Sequence, residues 1–217
     1  MSPKVILSFS FIIFTILGGS AQRLDRFGDA NRFSYNKIVT YFGYADSLMK
    51  PDEVHNDTGY YHMYFWLSDS VSEIAVRMIS PVPVVVMPDR GDIVSENYYE
   101  HEKDKTDYFD TWFSLDRAEE IKEQGNIAVT KNTRWLQLGY NDDSSELFPQ
   151  PSGNRYNSLM RIKSKHDIPG KTITAGLYRI RFTSYKKGKV KGSYLIQVGT
   201  TELLPLKLVK HPEELKE

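Results

Sequence analysis

The chain has 217 residues, 28 of them basic and 28 acidic, and no cysteine. A formal charge of zero excludes a general nucleic-acid binder, which carries a basic excess. The missing cysteine excludes a disulfide framework, a thiolate zinc site and a cysteine nucleophile. With 40% hydrophobic residues and a mean hydropathy of −0.46, the chain is an ordered globular protein and not a polytopic membrane protein.

Lys4 precedes an apolar run from Val5 to Leu17, and Gly18-Gly19-Ser20-Ala21 supplies small residues for a cut before Gln22. The run falls short of the roughly 20 apolar residues that a spanning helix needs. Residues 1–21 therefore read as a cleaved signal peptide, and 22–217 as a single β-sandwich domain. The mature chain is expected in the periplasm, on the outer surface or outside the cell. A lipobox requires a cysteine at the cut, so no transmembrane or lipid anchor is expected in the mature chain.

The following pattern has period two. Ile38 to Tyr44 is β-branched and aromatic, and Tyr60 to Leu67 is apolar on both faces. Ile74, Val76 and Met78 alternate with Ala75, Arg77 and Ile79. Tyr108 to Leu115, Trp135 to Tyr140 and Leu159 to Lys163 add three more strands. Tyr178, Ile180 and Phe182 alternate with Arg179, Arg181 and Thr183. Lys186 to Lys189 should then turn the chain, so that Val190 to Val198 returns as a hairpin partner. Two short helices are predicted. One is capped at Asp116 with Glu119 three residues on and stops at Gly125; the other opens at Pro212. The whole reads as mainly β, a jelly-roll-like antiparallel sandwich, with Asn141 to Arg155 as a long surface loop.

Few motifs carry chemistry. The five histidines (55, 62, 101, 166 and 211) lack zinc-ligand spacing, and no nucleophile elbow or phosphate loop occurs. Arg90-Gly91-Asp92 matches the tripeptide read by integrins, but Pro88 to Asp92 is also what a turn between strands looks like. Asn56-Asp57-Thr58 fits a glycosylation acceptor, and the basic run Lys186 to Lys191 reads as a hairpin tip. Asp104, Asp107 and Asp110 lead into a strand, and Asn141-Asp142-Asp143 opens the long loop. Calcium takes six to eight oxygens of this kind, although acidic loops are ordinary on surfaces.

Eight blocks occur in a telling order: Tyr41 to Tyr44, Val76 to Pro81, Gly91 to Ser95, Phe109 to Trp112, Arg155 to Lys163, Gly176 to Tyr185, Val190 to Ser193 and Pro212 to Leu215. Together they resemble the major surface lipoprotein family of leptospires, spirochaetal outer-surface proteins with relatives in marine bacteria. The resemblance implies a jelly-roll sandwich, a non-enzymatic envelope protein and adhesion to an extracellular matrix protein or an envelope component. It also implies self-association as a homodimer and a Ca²⁺ site at Asp110, Thr111, Asp142, Asp143 and Tyr156. Two departures stand out. The family's lipidated cysteine gives way to Ala21–Gln22, and its run of consecutive aspartates shrinks to Asp142-Asp143. From another class, a carbohydrate-active or glycan-binding jelly roll would use Trp112, Trp135 and Tyr140 as sugar platforms.

Overall fold

The structure, a computed structural model, describes residues 22–23, 34–46, 48–165, 167–168, 170–185 and 190–216. The expected signal peptide, His166 and the Lys186–Lys189 turn lie outside these. A small pair, β1 (Gln22–Arg23) and β2 (Ser34–Tyr35), forms a two-stranded sheet of its own, with Tyr35 packed against Ala75 of the first main sheet. The first main sheet is built from β3 (Lys37–Ala45), β6 (Glu73–Ile79), β7 (Ile93–Val94), β10 (Ser158–Lys163) and β12 (Gly192–Thr200). Its order is β10-β6-β12-β3-β7, antiparallel except for the short β3–β7 pair. The second contains β4 (Glu53–His55), β5 (Thr58–Leu67), β8 (Thr111–Ala118), β9 (Trp135–Asn141) and β11 (Gly176–Ser184). It runs β4-β5-β11-β8-β9 and is antiparallel throughout.

Alternation decides which side chains meet between the sheets, because successive side chains of a strand point to opposite faces. Ile74, Val76 and Met78 of β6 and Tyr194, Ile196 and Val198 of β12 face inward. They meet Met63 and Phe65 of β5, Phe113 and Leu115 of β8, and Tyr178, Ile180 and Phe182 of β11 in one core. This is a β-sandwich, as the pattern predicts. Among the described residues, no helix is long and apolar enough to cross a membrane.

Two local expectations are corrected. The segment beginning at Asp116 is not a helix: β8 continues to Ala118, and only a three-residue 3-10 turn follows, at Gln124–Asn126. Asp116 lies opposite Arg179 of β11 and pairs with it, so cross-strand charge pairing overrides the local cap signal. The two C-terminal strands do not form a hairpin either. β11 pairs with β5 and β8, whereas β12 pairs with β3 and β6, so the chain crosses from one sheet to the other. Each strand has a core-facing apolar row, and such rows can be buried from opposite sheets as well as side by side. The turn at Pro212–Leu215 is present as a 3-10 turn. A short helix, α1 (Tyr98–His101), carries no side-chain cap that would have betrayed it.

The ends of β6 and β9 and the starts of β8 and β10 gather at one end of the sandwich, together with the 80–110 and 142–157 connections. Gly192 fixes how closely the chain leading to β8 approaches β12. Its φ is +111°, and a Cβ there would lie 2.0 Å from the Asp107 carbonyl oxygen.

Candidate functional site

Thr111 anchors the corner that carries the expected calcium ligands. It is fully buried, and both its amide and its Oγ1 donate to the Tyr156 carbonyl at 3.0 Å. Ser158 Oγ donates to the Thr111 carbonyl at 2.6 Å, stapling the first residue of β8 to the first of β10. One residue earlier, the Asp110 carbonyl accepts from the Tyr185 amide at 2.9 Å. On the other side, Phe113 pairs with Asn141 at the end of β9. β9 ends there, and the chain bends at Asp142 into the long loop. Asn141 Oδ1 accepts from the Leu159 amide at 3.1 Å, which holds the loop mouth against β10.

All five expected residues thus come to one corner, but not as a coordination shell. Among the described residues, no three His, Cys, Asp or Glu side chains are grouped so as to hold a metal ion. Asp142 is half-buried and Asp143 exposed. Thr111 holds the Tyr156 carbonyl with two hydrogen bonds. Glu146, next along the loop, pairs with Arg161 at 2.9 Å. The donor types suit calcium; their arrangement here does not yet enclose an ion.

Two amides that sequence reasoning passed over tie the loop to its neighbours. Buried Gln150 donates through Nε2 to the carbonyls of Ser80 (2.6 Å) and Phe109 (2.7 Å). Buried Asn157 accepts from the Ser80 amide at 2.9 Å and donates to the Phe148 carbonyl at 3.0 Å. Main-chain groups that leave a strand need such partners. For Gln150, an amide set between Pro149 and Pro151 was the available signal; for Asn157 there was none.

A second polar cluster occupies the outer face of the other sheet. Arg179 donates through Nη2 to Asp116 Oδ2 at 2.8 Å and lies 3.6 Å from Glu53 Oε2. Arg181 Nη1 reaches Glu53 Oε1 at 3.5 Å. His62 stands beside them, with Nδ1 3.1 Å from the Tyr64 hydroxyl and Nε2 3.4 Å from Glu53. Burial, reinforced by Arg179 and Arg181, lowers the His62 pKa to about 3, so the ring is neutral. A cleft of about 660 Å³ opens beside this cluster, walled by Tyr64, Trp135 and Lys210.

The aromatic residues expected as sugar platforms engage protein partners. Trp112 stacks on Tyr140 (6.3 Å, 24°) and meets the Tyr60 edge at 5.8 Å. Arg179 lies 4.3 Å over Trp135. Arg90-Gly91-Asp92 forms the expected tight turn: the Asp92 amide donates to the Asp89 carbonyl at 3.0 Å, and Gly91 has φ +98°. The Asp92 carboxylate is turned back onto the Asp89 amide at 2.7 Å.

No curated protein shows significant similarity to the chain. Residues 30–208 match the surface lipoproteins of the order Spirochaetales, a span that includes both sheets and every residue of the corner. That family sits in the envelope or at the surface. With this match spanning most of its length, the chain belongs to the spirochaetal surface lipoprotein family.

Proposed function

We propose that this protein works by binding, as a non-enzymatic structural or adhesive component of the envelope, and that its β8–β9 corner takes Ca²⁺. What supports the calcium reading is the Thr111–Tyr156 hydrogen bonding next to Asp110, with Asp142 and Asp143 following the Phe113–Asn141 pair on the neighbouring strand. Carboxylate, hydroxyl and carbonyl oxygens are the hard donors that calcium prefers. Because the carboxylates are not gathered in this arrangement, binding requires the 142–143 segment to close on Asp110. Closure brings like charges together, which is favourable only with the cation between them. An affinity of roughly 10⁻⁴ to 10⁻³ M, that of extracellular modules, follows from the short acidic run. An extracellular matrix protein or an envelope component is the proposed partner and a homodimer the proposed assembly, both resting on the resemblance.

Thermal melting in millimolar calcium against chelator tests the reading. At a tenfold excess over Kd, binding to the folded state alone adds about 1.4 kcal/mol. Wild type should melt higher with calcium, and Asp110→Ala should lose that increment. A wild-type midpoint indifferent to calcium would reduce the corner to a solvated acidic loop.

A further inference from the structure

A cleft of about 580 Å³ opens between the 81–86 and 148–151 segments, next to the proposed calcium corner but separate from it. Its walls are apolar, chiefly Ile79, Val82, Val86 and Phe148. Among the described residues, Lys105 is the one charged side chain lining it, and no carboxylate does. The rim is apolar too: Val85 is 90% exposed and Val84 71%. Solvent-exposed aliphatic side chains in such a group mark a binding surface.

The chemistry of the cleft narrows its occupant. Pro81, Pro83, Pro149 and Pro151 line it without a single amide donor, so its main chain is poorly suited to adding a peptide strand. The lining amides are engaged elsewhere, since Gln150 holds Ser80 and Phe109, and Asn157 holds Phe148. What remains is an apolar trough with one cation, in the size range of small-molecule sites. We propose that this cleft binds a single acyl chain with an anionic head, a free fatty acid, whose carboxylate pairs with Lys105. The Lys105 ammonium donates to the Glu102 carbonyl, and burial lowers its pKa from the ordinary lysine value. A carboxylate beside it would offset that loss of hydration.

The proposal stands apart from the calcium reading and is tested in chelator. The full chain is titrated calorimetrically with sodium dodecanoate below its micelle threshold, and in parallel with dodecanol. Saturable 1:1 binding of dodecanoate is expected. Lys105→Gln should weaken it about tenfold or more, the effect of one charge-assisted contact, while leaving dodecanol unchanged. Phe148→Ser, at a half-exposed wall, should weaken both ligands. Absence of saturable dodecanoate binding would overturn the proposal, as would equal weakening of both ligands by Lys105→Gln. Cosedimentation with phosphatidylglycerol vesicles but no binding of free dodecanoate would also overturn it, in favour of contact with a bilayer.

Discussion

The two ends of one strand treat their aspartates differently. At the inner end of β8, Asp116 is 2% exposed and meets Arg179 directly across the ladder, with Glu53, Arg181 and His62 close by. At the outer end, Asp110 shares a corner with Asp142 and Asp143, where acids come together without forming a closed group. The first cluster is neutralised by arginines that alternate along the neighbouring strand. The second is arranged by loops. Register supplies counter-charges inside the sheet, while the corner's acids sit where loops rather than a strand ladder set their neighbours.

The largest expected effect breaks that contrast at its buried end. Removing one partner of a buried ion pair leaves the other charge uncompensated, at a cost of about 3–5 kcal/mol. Asp116→Ala should therefore lower the urea-unfolding free energy by about that much. In chelator, Asp142→Asn should change it by no more than about 0.5 kcal/mol, as an ordinary surface substitution does. Equal losses at the two positions would mean that the corner is as tightly built as the sheet.

A smaller effect comes from protons. The folded-state pKa of His62, about 3, lies below the ordinary value of 6.5, with burial as the main cause. Between those values the unfolded chain binds the extra proton. The His62 contribution is therefore complete above about pH 6.5 and is lost as pH falls, by at most about 1.4 kcal/mol per pH unit. His62→Gln should flatten the stability profile between pH 6 and pH 4. An unchanged slope in that variant would move the acid sensitivity to other groups.

What was legible in the sequence follows from range. The strands from Ile74, Leu159, Tyr178 and Val190 show in their alternation because one face must be apolar, and that is a local demand. Whether β11 and β12 pair or cross between sheets is not local, and the same alternation serves both. Asp116 with Glu119 looks like a helix cap from neighbours alone; only Arg179, 63 residues on in sequence, makes it a strand residue. The corner was legible as an address, through the block resemblance and the acids beside strand ends. Its internal hydrogen bonding was not, because Gln150 and Asn157 act on carbonyls of Ser80, Phe109 and Phe148 that no spacing rule connects.

The smallest effect sharpens the comparison on the sheet's outer face, midway between the two clusters. Tyr140 is 61% exposed yet stacks on Trp112, which in turn lies 5.7 Å beneath the Arg181 guanidinium. Removing an aromatic partner of this kind costs about 0.5–1.5 kcal/mol beyond its buried area. Tyr140→Ala should fall in that range by urea unfolding and should leave the proposed calcium increment of the corner untouched. Tyr140 sits on β9 one residue before Asn141, whose side chain holds the loop mouth to Leu159. If the substitution also lowered the calcium-dependent rise in melting temperature, the stacked pair would be positioning the loop. The sheet face and the corner would then be one unit rather than two.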